Sequence, residues 1–113
     1  HIPLRRQRQM CIRDRAIIAG QLLGVKTALN EFVAYSGLAS LEPGLLSEQS
    51  KLITLYALCG FANFSSVGIL IAGVGAMAPD RRSDIVSVSF KALIGATLAS
   101  CMTGLVVACV NLI

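Results

Sequence analysis

Two clusters of polar side chains interrupt an otherwise apolar chain. The first lies in Gly24-Val-Lys-Thr-Ala-Leu-Asn-Glu-Phe-Val-Ala-Tyr35, where Lys26 and Glu31 stand five residues apart among hydrophobic neighbours. The second is Tyr56-Ala-Leu-Cys-Gly-Phe-Ala-Asn-Phe-Ser-Ser-Val-Gly68, which sets Asn63, Ser65 and Ser66 in the middle of a long uncharged run. A carboxylate accepts hydrogen bonds, an amide both donates and accepts, and a hydroxyl does either. These residue types hold a polar ligand rather than break its bonds. No nucleophile or paired-carboxylate motif accompanies them, and the single histidine is His1, so the chain does not read as an enzyme. Polar and ionisable groups at bilayer depth are costly and mark ligand or ion paths.

The elements that position such groups are expected to be all-α and membrane-embedded. Of 113 residues, 55% are hydrophobic and 14% charged, with mean hydropathy +0.72, a balance that fits lipid better than water. Residues 52–79 and 92–113 hold no charged side chain, and each run exceeds the roughly 20 apolar residues that cross a bilayer. A soluble domain of this size has too little mass to cover two such helices. The net charge of +4 resides in residues 1–15, which carry five arginines against Asp14; residues 16–113 sum to zero. No basic surface remains for nucleic acid. The cysteines at 11, 59, 101 and 109 lack metal-ligand spacing and read as small hydrophobes.

Residues 1–15 form a polar, aperiodic basic arm. Residues 7–14 look like translated adapter sequence, so the arm is expected to be non-native and foreign to the fold. Residues 16–41 are apolar but interrupted at Gly24 and Lys26. Two half-length helices about that centre make a re-entrant hairpin, which membranes tolerate only under protein cover or beside water. One spanning helix over 16–39, its charges turned to a bundle interior, fits the pattern equally. In the polar loop 41–50, Ser47 or Ser50 suits a helix cap and Glu48 a first turn. Residues 51–78 read as a span with an unusual centre. It suits a helix broken at mid-membrane, where Asn and Ser satisfy freed backbone groups, or an unbroken helix whose Asn63 and Ser66 bond a neighbour. Loop 79–84 is cytoplasmic by the positive-inside rule, which puts the C-terminus outside. Residues 85–113 read as a second, continuous span. Its Ala92, Ala96, Ser100, Gly104 and Ala108 recur every four residues as a packing stripe.

Both polar stretches, together with Ala78-Pro-Asp-Arg-Arg-Ser-Asp84, resemble the C-terminal part of the concentrative nucleoside transporters. The likeness runs from about Ala16 to the end. It implies the second of two inverted repeats, with a re-entrant hairpin over 16–41, a broken helix over 48–78 and a last helix over 85–113. The resemblance also implies a fragment, the scaffold helices and first repeat lying elsewhere. The implied activity is ion-coupled nucleoside uptake, a sodium or proton symport, across the plasma (inner) membrane. The implied partners are a nucleoside such as uridine, the lipid bilayer and, at full length, two further copies in a homotrimer. Carried over by position, the family's ribose site falls on Glu31, Asn63 and Ser66, with Phe61 nearby. The coupling ion, Na+ or H+, is expected at the first repeat, so this segment is assigned no metal site and no cofactor.

The residue chemistry suits that assignment. A ribose offers vicinal hydroxyls, and one carboxylate accepts a charge-assisted bond from each. Two other readings stand beside it. One is a small membrane interaction protein that docks through the stripe over 92–108; it needs no carboxylate at membrane depth and tolerates Gln at position 31. The other is an inactive fragment.

Overall fold

A computed structural model describes the backbone of residues 2–111 and the side chains of residues 14–111. The described residues form five α-helices and one 3-10 turn, with no strand. Helix α1 (Ile2–Ala28) runs unbroken through Gly24 and Lys26. The interruption expected around Gly24 falls instead at Leu29 and Asn30. An isolated glycine costs a helix only about 1 kcal/mol. Asn30 does more: its extended backbone (φ −162°, ψ 169°) leaves the helix, and its side chain accepts from the Val33 amide at 3.0 Å, capping α2 (Glu31–Ala39). No backbone boundary appears at residue 15. What the arm's side chains before residue 14 do lies outside the described residues.

Helix α2 folds back on α1. Leu22 meets Ala34, Leu38, Leu46 and Leu58 in one apolar core, with Tyr35 at its margin. A turn follows in which Gly44 takes φ +98°, a region that favours glycine. Ser47 then caps α3 (Glu48–Leu58) by accepting from the Ser50 amide at 3.2 Å.

The uninterrupted reading of residues 51–78 does not hold. Helix α3 ends at Leu58, residues 59–63 are non-helical, and α4 (Phe64–Met77) begins anew. The 3-10 turn Pro79–Arg81 leads into α5 (Arg82–Val110), which starts three residues before the expected 85. Among the described residues, Pro79–Val110 alone is long and apolar enough to cross a membrane by length and composition. The stretch read as the first span is thus divided into α3 and a 14-residue apolar helix, α4, each too short to pass that test, while the expected continuous span falls in α5. The reason is local: the capping residues at 63 and 66 start a new helix where a spanning helix would continue.

Helix α5 packs along α3 and α4. Its buried Ser100 and Gly104 face the end of α3; a Cβ at Gly104 would stand 3.1 Å from the Ala57 Cβ and the Ile53 carbonyl. Leu93 joins Ala62 and Val67 in a second core. Ser89, Thr97, Ser100 and Thr103 each donate to the carbonyl one turn back, so hydroxyls on this apolar helix are satisfied within it. Ile94, Leu98, Met102, Leu105 and Val106 are exposed. At the other end Arg81 and Asp84 pair at 3.5 Å, both exposed, a contact of little energetic weight.

Candidate functional site

The break between α3 and α4 is organised by Asn63. Its backbone is extended (φ −148°, ψ 166°), and its Oδ1 accepts from the Ser66 amide at 2.7 Å. In return, the Asn63 amide donates to the Ser66 Oγ at 3.2 Å, which completes a capping box. The Ser66 hydroxyl donates to the Asn63 carbonyl at 2.8 Å, with the Phe61 carbonyl further off at 3.4 Å. Asn63 is only 1% exposed. Because Oδ1 serves as the cap, Nδ2 must point the other way. It donates to the Glu31 Oε2 at 2.7 Å. One short charge-assisted bond thus joins the α1–α2 hairpin to the broken helix.

Both embedded charges sit at matching helix ends. Glu31 is the first residue of α2 and bonds the N-cap of α4, so two positive helix termini face its carboxylate. Lys26 lies in the last turn of α1, is fully buried, and donates to the Ala57 carbonyl in the last turn of α3 at 3.4 Å. The Tyr35 hydroxyl donates to the Leu55 carbonyl two residues earlier, also at 3.4 Å. Neither residue belongs to the ribose set that the family resemblance implies. Both donate to the end of α3.

Glu31, Asn63 and Ser66 therefore lie in one bonded cluster. Phe61 contributes its carbonyl, while the residue itself is 67% exposed. Ser65 is exposed and makes no part of the cluster. Cavities of about 330 Å³ and 210 Å³ flank Phe61 on its α5 side, bordered by Gly60 and Ser100 in one and by Ser66 and Leu93 in the other. Glu31 and Asn63 line neither. Glu31 is half-buried, and Phe32 and Phe64, which follow Glu31 and Asn63 in the chain, are exposed. Among the described residues, no three His, Cys, Asp or Glu side chains gather as a metal site.

Asn63→Ala is expected to destabilise the protein markedly. Losing the cap costs about 1 kcal/mol, and stripping a charged partner of its donor adds about 1.5–3 kcal/mol. N63D keeps a cap oxygen but sets carboxylate against carboxylate, so it should fare no better. Melting temperature in detergent measures both. An N63D protein as stable as the parent would refute the Asn63–Glu31 bond.

The family model described as the Na+ dependent nucleoside transporter C-terminus matches residues 10–108. The match begins inside the basic arm. An uncharacterized transporter of Haemophilus influenzae is 53% identical over 90 residues, which cover 76% of this chain and 22% of that protein. The nucleoside permease NupC of Helicobacter pylori is 45% identical over 94 residues, 80% of this chain and 22% of that one. Sodium/nucleoside cotransporter 1 of Mus musculus is 41% identical over 107 residues, 82% of this chain and 16% of that one. This chain thus spans between 16% and 22% of the length of these curated relatives. Among solved structures, CNTnw in an inward-facing, substrate-bound state aligns with TM-score 0.73 at 41% identity, covering 80% of this chain and 23% of that one. A CNTnw variant in an outward-facing state also aligns with TM-score 0.73, at 40% identity and the same coverage.

Proposed function

The chain belongs to the Na+ dependent, or concentrative, nucleoside transporter family, and on that premise we propose that it carries the ribose-binding part of a nucleoside–cation symporter. The observation that carries this reading is the 2.7 Å bond between Glu31 and Asn63. It brings a carboxylate from one element against an amide from another, with the Ser66 hydroxyl behind it. A carboxylate has about four acceptor positions, so Glu31 retains capacity for two sugar hydroxyls while it holds Asn63. A nucleoside would approach the exposed part of Glu31, with Phe61 nearby. Its 2′- and 3′-hydroxyls would donate to Glu31, and its ring would lie near the N-terminus of α4. Binding would then tie the α1–α2 hairpin more firmly to the broken helix.

In this reading, α1 and α2 form a re-entrant hairpin, α3 and α4 a spanning helix interrupted at mid-membrane, and α5 a full span. Loop 79–84 faces the cytoplasm and the C-terminus lies outside. Base contacts and the coupling cation, Na+ or H+, belong to a companion repeat. The complete transporter works as a homotrimer in the plasma (inner) membrane.

The test is a chimera in which residues 16–113 replace the matching segment of a family member with measurable uptake. It is expressed in cells that lack nucleoside transport. Uridine uptake is expected. 2′,3′-Dideoxyuridine should compete at least about tenfold more weakly, because each hydroxyl removed forfeits a bond to a charged acceptor. Equal competition by the dideoxy compound at normal membrane abundance would rule out the ribose assignment.

A further inference from the structure

Sugar recognition leaves Lys26 unused, yet the fold buries it completely. Its position is specific. Helix α3 ends at Leu58, so the Ala57 carbonyl loses the amide that a continuing helix would supply. The two terminal carbonyls before it have other donors: the Tyr35 hydroxyl reaches Leu55, and the Cys59 amide reaches Tyr56 at 3.2 Å. The Ala57 carbonyl takes the Lys26 ammonium. The ammonium also lies against the break itself, since a Cβ at Gly60 would stand in ordinary contact with the Lys26 Nζ at 3.5 Å. Lys26 also occupies the last turn of its own helix. A helix C-terminus carries roughly half a negative elementary charge, so two such ends match one ammonium.

We infer that Lys26 is a tethered cation. Its ammonium neutralises the C-terminal ends of α1 and α3, a place that a mobile monovalent cation would otherwise have to fill. By fixing α1 against the end of α3, it sets Glu31, five residues on, against Asn63. Lys26 is a positioning residue, and it acts through its charge rather than through the volume of its side chain.

Charge-retaining and neutral replacements of Lys26 in the chimera test this. The readouts are uridine uptake and the melting temperature of the purified, substrate-free protein. K26R is expected to stay near the parent in both. K26Q is expected to lose about tenfold or more in uptake, the scale of a charged hydrogen bond lost from a buried site, and to melt several degrees lower. In K26A, propylammonium should restore both readouts where propanol of equal size does not. The inference stands if K26R holds while K26Q falls, or if the amine rescues where the alcohol fails. It is overturned if K26Q matches the parent, or if neither charged replacement outperforms its neutral counterpart. Only the uptake readout rests on the ribose reading. Melting temperatures that follow charge in a chimera without uptake would keep the tethered cation and reject the nucleoside site.

Discussion

Glu31→Gln should reduce uridine uptake efficiency by the chimera roughly 30- to 160-fold at unchanged membrane abundance, which corresponds to about 2–3 kcal/mol. The substitution preserves shape and removes charge. A glutamine oxygen still accepts from the Asn63 Nδ2, so the junction between hairpin and broken helix keeps its hydrogen bond. The other end of the glutamine amide then presents N–H groups to the sugar, where two vicinal hydroxyls need an acceptor. Bonds to a charged partner contribute about 1.5–3 kcal/mol and neutral ones about 0.5–1.5 kcal/mol, and two such bonds change at once. Discrimination should fall along with efficiency, so 2′,3′-dideoxyuridine should compete almost as well as uridine against the E31Q protein. Unchanged uridine affinity, or discrimination that survives the substitution, would remove Glu31 from the sugar site.

The second large effect is expected at Gly60. A Cβ built there would overlap the Ser100 Oγ and lie 2.8 Å from the Ser100 Cβ. Rotating the serine relieves only the first contact, and Ser100 sits buried in the interior of α5. G60A must therefore push α5 away from the break, an overpacking cost of about 1–3 kcal/mol. The companion substitutions give an order. S100A removes the oxygen and leaves the 2.8 Å contact, whereas S100G removes both atoms. In a G60A background, S100G should recover more melting temperature than S100A, although by itself a glycine inside α5 costs about 1 kcal/mol. That reversal of sign is a coupling between contacting residues. A stable G60A protein, or additive double mutants, would contradict the close approach of α5 to the break.

The break in residues 51–78 was legible because Asn and Ser in an apolar run are capping residues in the wrong place for a continuous helix. The structure uses them so: Asn63 and Ser66 cap one another. The hairpin's turn was harder to place. Gly24 drew attention as the breaker, but an exposed helical glycine with open space around it does not end a helix. Asn30 followed by Glu31 was the better signal, a cap with an acidic residue in the first turn. The burial of Lys26 could not be read locally, because its acceptor lies 31 residues away at a helix end that exists only once the chain breaks. The same holds for Gly60: its role depends on Ser100, brought beside it by the packing of α5 on α3. Expectations that rest on neighbours in sequence could be drawn from the chain. Those that rest on where two helix ends meet needed the fold.

Lys26 and Glu31 occupy one junction and carry opposite unit charges, each at helix ends of the opposing sign. Work against a transmembrane voltage depends on the net charge displaced, about 2.3 kcal/mol for each elementary charge carried through 100 mV. A rigid movement of this junction along the membrane normal carries a cation and an anion through the same field, and the two terms cancel. Such a movement is electrically silent, so a voltage dependence would have to come from charges outside this pair.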